Sequence, residues 1–271
     1  MFADEAHEDL QGQIALAAFL GVGWIELRIV DGLNVTTLSE EQTRIVAGRL
    51  REAGIGVSAV ASPIGKSPLS EPLKPVLERL GHVCRQAGIL GTPNVRVFSF
   101  YPDGDEATVE ERVFERFARM VEVARTYGVR LLLENESAVY GHSARNCAAL
   151  GARFGGETLA LVYDPGNFVW GEGITDGIQT CWPLMRPYVG HVHLKDWTAG
   201  HTRAGILPGD GDGCIPGLLS ALSEEGYDGF LTLEPHLSGG GRFGGTTSGE
   251  QFALACGRVR DYLDKLEMKY I

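Results

Sequence analysis

At 271 residues, 44% hydrophobic and 22% charged, the chain has the size and composition of one ordinary globular domain with room for a large core. A formal net charge of -11 with no clustered Lys and Arg disfavours nucleic acid, because a polyanion needs a basic face. The acidic opening MFADEAHEDL lacks the basic and apolar parts of a secretory signal, and no apolar run approaches the roughly 18 residues of a membrane span. No membrane association and a cytoplasmic location are therefore expected.

Short apolar or β-branched runs alternate with longer amphipathic stretches, the pattern of parallel strands joined by helical crossovers. Residues 1–3 are a first strand candidate cut short by the start of the chain, and residues 23–30 are a second. Ser39, followed three residues later by Gln42, predicts a capping box at the head of a helix that Gly54 would end. Residues 56–61 and 94–100 follow as strands. The helix expected over 106–127 places Val113, Phe117, Met120, Val121 and Ala124 on one stripe, and Gly128 stops it. Strands over 129–134, 158–163, 189–194 and 229–233 complete eight units.

No Pro- or Ser-rich linker divides these units, although Gly155–Gly156 and the glycine-rich stretch 239–245 mark loops. Eight strand–helix units in one domain over 1–271 favour a single (β/α)8 TIM barrel over a doubly wound sheet, and no GxGxxG follows the first strand. The five cysteines are scattered and free of CxxC spacing, so they read as reduced core thiols rather than disulfides or a thiolate zinc site.

Four consecutive strand ends carry a potential metal ligand. LLLENE ends its strand on Glu134, LALVYD on Asp164, HVHLKD contains His193, and GFLTLEPH contains Glu234. They recur about one unit apart, so a barrel would set all four on its C-terminal rim. A lone strand-terminal carboxylate is usually a cap or an ion-pair partner. Four at equivalent positions would put costly polar groups at the mouth of an apolar barrel, which a metal explains and packing does not. Three carboxylates and one imidazole suit one divalent ion, manganese first, with magnesium, cobalt or zinc as alternatives.

Around these four, Asn167, Lys195, His191, His236 and Glu136 are candidate substrate-binding residues. His191, His193 and Lys195 share one strand face by the period of two. Trp24 and Trp197 are candidate walls for a sugar face, and Arg242 a candidate anion clamp. The LPGDGD run lacks the Lys and Ser/Thr of a P-loop and reads as a turn. With few basic residues near the expected rim, the sequence does not separate a phosphorylated from an uncharged substrate.

LLLENE, VYDPGN, GHVHLKD, LPGDGD and the final EEGYDGFLTLEP resemble the xylose-isomerase-like TIM-barrel superfamily over almost the whole chain. That superfamily includes sugar phosphate isomerases and epimerases, ketose 3-epimerases, inosose dehydratases and apurinic endonucleases. The ketose 3-epimerases bind metal through a Glu, Asp, His, Glu set that matches Glu134, Asp164, His193 and Glu234. The resemblance further implies that Glu134 and Glu234 move the protons, through an enediolate beside the substrate carbonyl. It implies a small carbohydrate as substrate, a place in carbohydrate metabolism and, since many relatives are dimers or tetramers, a homo-oligomer.

The chain departs from those epimerases at Asn167, where they have His, at Ala199, where they have Arg, and at Tyr140, where they have a second Glu. The metal set is retained while the substrate shell is changed, so a free ketohexose is not implied. A lyase or dehydratase acting on a keto-sugar or keto-inositol shares the proton-abstraction step and is the alternative. A nuclease resembling the apurinic endonucleases is more remote: the extra histidines of their three-zinc site are missing here.

Overall fold

The computed structural model describes residues 1–200, 203–240 and 244–270. Seven parallel strands follow one another in chain order around a nearly closed barrel: β1 Trp24–Leu27, β2 Gly56–Ala61, β3 Asn94–Val97, β4 Arg130–Glu134, β5 Leu159–Tyr163, β6 Val189–Leu194 and β7 Phe230–Leu233. Residues 1 and 2 occupy the eighth position. The Phe2 amide donates to Leu233 O on one side (3.0 Å), and Met1 O accepts from the Glu26 amide on the other (2.9 Å).

Three expected strands are clearly shorter than their apolar runs, that over 94–100 ending at Val97. The segment over 1–3 bends after two residues into a 3-10 turn, Ala3–Glu5. The run 23–30 breaks after Leu27, and Ile29–Val30 folds back on Leu33–Asn34 as a small hairpin. Asp31 (φ 50) and Gly32 (φ 75) make its turn, a left-handed pair that fits the twist of a tight hairpin.

Helices α1 Leu10–Leu20, α2 Glu40–Glu52, α3 Leu73–Leu90, α4 Glu106–Thr126, α5 Ala144–Phe154, α6 Pro165–Glu172, α7 Ile215–Glu224 and α8 Gly249–Lys265 surround the sheet, with single helical turns at Gly177–Thr180 and Trp182–Met185. Their ends follow local chemistry. Ser39 with Gln42, and Ser248 with Gln251, form reciprocal capping boxes at α2 and α8. The predicted stripe of α4 is buried in full, and each such side chain contributes about 1.5–3 kcal/mol by leaving water. None of the described helices is long and apolar enough to cross a membrane.

The apolar core has two parts. A large shell lies between sheet and helices, while a small plug of Ala59, Leu132, Ala160 and Val162 forms a separate cluster. Strand register explains the division. Pairings such as Glu26 with Ala59, Arg96 with Leu132, Leu132 with Ala160, and Glu134 with Val162 put these residues on one face of neighbouring strands, the inside of the barrel. That face becomes polar toward the C-terminal strand ends, where Glu134, His193 and Glu234 project.

Candidate metal centre and active site

Asp164, Glu134, His193 and Glu234 converge at the barrel mouth, each offering one ligand atom, and these atoms all lie within 4.8 Å of one another. His193 Nδ1 faces the other three: 3.3 Å from Glu134 Oε1, 3.5 Å from Glu234 Oε2 and 3.8 Å from Asp164 Oδ2. Local structure aims each group. Asp164 ends β5 and caps α6, accepting the Asn167 amide on Oδ1 (3.0 Å), with Pro165 preset for the first helical position. Its other oxygen is left to face the cluster.

Burial makes this arrangement costly unless a cation completes it. Glu134 Oε2, Asp164 Oδ2 and Glu234 Oε2 are buried oxygens with no well-aligned hydrogen-bond donor among the described residues. Basic groups stand against them instead: Arg96 Nη1 is 3.2 Å from Glu134 Oε2, and Lys195 Nζ is 2.8 Å from Asp164 Oδ2 and 3.5 Å from Glu234 Oε2. Three hard oxygens with spare lone pairs around one imidazole nitrogen fit a divalent ion by donor type and geometry.

The charges fix the protonation states. Burial would raise the Glu134 carboxyl, but His193 and Arg96 hold it down at about 2. Glu234 is likewise held well below the usual carboxylate range against its burial, by Lys195 above all and by His193. Burial would lower His193, yet Glu26 and Glu134 raise it well above an ordinary histidine. Lys195 is raised in the same way by Asp164 and Glu234.

Behind His193 stands Glu26, on β1 and buried. Its Oε2 accepts from His193 Nε2 (3.2 Å) and His191 Nε2 (2.8 Å), which leaves His193 Nδ1 toward the three carboxylates. A metal-binding histidine commonly gives its other N–H to a carboxylate in this way. Sequence alone does not mark Glu26, since a Glu inside WIEL looks like any strand carboxylate. Arg28, Arg96 and Asn135 are likewise unmarked. Arg28 bridges Asp4 (2.7 Å) and Glu234 Oε1 (3.1 Å). Asn135 ties the ends of β4 and β5, its Nδ2 donating to Asp164 O (2.8 Å) and its Oδ1 accepting the Asp164 amide (2.9 Å).

The expected substrate shell divides. Asn167 and Lys195 line the cavity above the cluster, Asn167 Nδ2 donating to Glu134 Oε1 at 3.1 Å. Glu136 lines it too, paired with Lys66 Nζ at 2.6 Å. His191 does not: it is fully buried between Glu26 and Thr232, and burial lowers its pKa. It sits one strand repeat below His193 and never reaches the mouth. His236 borders the cavity, but its nitrogens are engaged. Nε2 accepts the Gly245 amide (3.0 Å), so Nδ1 carries the proton and donates to Glu5 Oε1 (2.9 Å). In this arrangement it pins the loop at Gly245 to Glu5.

Trp197 lines the cavity beside Trp170, their ring centroids 6.3 Å apart, whereas Trp24 packs on Phe230 at the opposite end of the strands. Arg242 lies outside the described residues. LPGDGD is a turn, as expected, and it wraps an anion that the chain itself supplies. Asp196 accepts amides from Gly209 (2.8 Å), Gly211 (3.1 Å), Gly213 (2.8 Å) and its neighbour Trp197 (2.9 Å). Glycine is required for this approach: a Cβ at Gly213 would lie 2.7 Å from Asp196 Oδ1, and Gly209 has φ 94.

Residues 14–253 match the family model described as xylose isomerase-like TIM barrel. Among curated proteins none matches this sequence. The solved structure of an L-ribulose 3-epimerase superposes with a TM-score of 0.74 at 19% identity, covering 97% of this chain and 91% of that one. A probable 3-DHS dehydratase from Bacillus anthracis gives 0.72 at 16% identity, with 91% and 92% covered. A xylose isomerase-like TIM barrel protein from Mycobacterium smegmatis, solved in complex with magnesium, gives 0.72 at 17%, with 94% and 88% covered. At these identities the likeness shows the fold.

Proposed function

Because this chain belongs to the xylose isomerase-like TIM barrel family, we propose that it is a divalent-metal-dependent isomerase or epimerase of a ketose or related sugar. The observation that carries this reading is the buried Glu134, Asp164, His193, Glu234 cluster, with three carboxylate oxygens that have no well-aligned hydrogen-bond donor among the described residues. These four residues would hold the ion, manganese first, with magnesium, cobalt or zinc as alternatives. When bound, the ion supplies Lewis acidity to a carbonyl and the neighbouring hydroxyl.

The remaining work falls to the chain. Glu134 ends β4 and Glu234 directly follows β7, so in this reading one carboxylate takes the proton from the carbon beside the carbonyl and the other returns it. Arg96 and Arg28 hold these two glutamates from behind, at 3.2 and 3.1 Å, and keep them ionised for that exchange. Lys195 and Asn167 face the same space and place the substrate oxygens. Trp170 and Trp197 form one wall of the cavity.

A lyase is the second reading, favoured by Lys195, whose ammonium sits among the proton-moving groups and would protonate a departing hydroxyl. Incubation of the metal-loaded protein with ketoses in deuterium oxide decides between them. Deuterium uptake with no change of formula is expected, and loss of water would select the lyase. No uptake and no loss, across neutral and anionic ketoses, would overturn both.

A further inference from the structure

The cavity over the cluster, about 410 Å³, concentrates basic groups in a chain whose net charge is -11. Arg28, Lys66, Arg96, Lys195 and Arg203 line it, against Glu134, Glu136 and Glu234. Three of these cations now serve as counter-charges to carboxylates that a divalent ion would neutralise instead: Arg28 to Glu234, Arg96 to Glu134, and Lys195 to Asp164 and Glu234.

Donors remain unused. Arg28 gives Nε to Asp4 and Nη1 to Glu234, while its Nη2 makes no hydrogen bond among the described residues. Arg203 makes no ion pair among the described residues, and its segment is pinned beside the end of β7, where the Gly205 amide donates to His236 O at 2.9 Å. Across the cavity, Lys66 and Arg96 both lie over the Phe98 ring, at 4.3 and 4.8 Å from its centroid. Two guanidinium groups with spare N–H donors match the oxygens of a carboxylate or phosphate.

From this we infer that the substrate carries an anionic group, a carboxylate or a phosphate, and that Arg203 is its partner at the mouth, with Arg28 beneath. The inference rests on the keto-sugar reading above for the rest of the ligand and departs from the sequence, which showed few basic residues near the rim. Arg28 and Arg96 escape notice there because each stands singly, Arg28 just past β1 and Arg96 within β3, and reaches the mouth only through barrel geometry.

The test is calorimetric titration of the manganese-loaded protein with D-fructose, 2-keto-D-gluconate and D-fructose 6-phosphate. At least one anion should bind tenfold or more tighter than fructose, and the better one identifies carboxylate or phosphate. Arg203→Ala should weaken that anion at least tenfold more than it weakens fructose, and Arg203→Lys should restore part of the loss. Equal affinity for all three, no measurable binding of either anion, or an anion preference untouched by R203A would overturn the inference. Titration reads affinity and deuterium uptake reads turnover, so anion preference without uptake would sink the proposed reaction and leave this inference standing.

Discussion

Glu26 Oε2 lies 3.2 Å from His193 Nε2, so a carboxylate on the first strand sets which face of an imidazole on the sixth meets the carboxylate cluster. The same oxygen takes His191 at 2.8 Å, and both histidines are thereby fixed by one buried acid. Glu26→Gln removes the charge and keeps the shape. It should weaken manganese affinity by roughly 10–100-fold, the usual consequence of losing such a partner, while far-ultraviolet circular dichroism stays unchanged. Titration of the variant with manganese checks this, and an unaltered affinity would remove Glu26 from the site.

Glu134→Gln and Glu234→Gln should each lower deuterium exchange into a bound ketose by roughly 10²–10⁴-fold, measured at saturating metal so that lost affinity does not mimic lost chemistry. If both variants exchange at the wild-type rate, the two glutamates are not the proton carriers.

Acid should dissolve part of the metal-free protein's stability in a defined window. Glu134 is lowered from 4.5 to about 2 despite its burial, by His193 and Arg96, so its ionised form stabilises the fold. That contribution is complete above the unfolded value and disappears as pH falls through about 2. In chelator, wild type should therefore melt above Glu134→Gln near pH 6, and the gap should close toward pH 2. A gap that is constant across this range would show that Glu134 gains nothing from its ionised partners.

Asp196→Ala strips the LPGDGD loop of its acceptor and leaves the amides of Gly209, Gly211 and Gly213 without a partner. Each such loss costs about 1–3 kcal/mol, so a total near 3 kcal/mol or more is expected. Urea denaturation should show a lower midpoint with an unchanged slope. A midpoint at the wild-type value would mean that the loop holds its shape without Asp196.

The parts of this fold that were legible in sequence are those written locally. Ser39 and Gln42 announce a helix start because a capping box needs only four residues, and the α4 stripe is visible because helical periodicity repeats within one element. The four strand-end groups could be found because a barrel converts unit spacing into a common rim. His191 falls short of the mouth because parity shows which face a side chain takes but not how deep it lies. Glu26, Arg28 and Arg96 were invisible because their meaning arises from partners on other strands, such as Glu234 for Arg28, 206 residues away.

The short segment that fills the eighth barrel position has a kinetic consequence. Directly after it, Asp4 meets Arg28, and Glu5 meets His236 and Thr247, the latter across 242 residues of chain. Contacts of that separation form late, because loop closure must precede their reward. The chain is therefore expected to acquire most of its helices before the two walls that carry Arg28 and Glu234 meet. In refolding, tight manganese binding should return after the helical signal, since Glu26 and Arg28 reach His193 and Glu234 only once the barrel has closed.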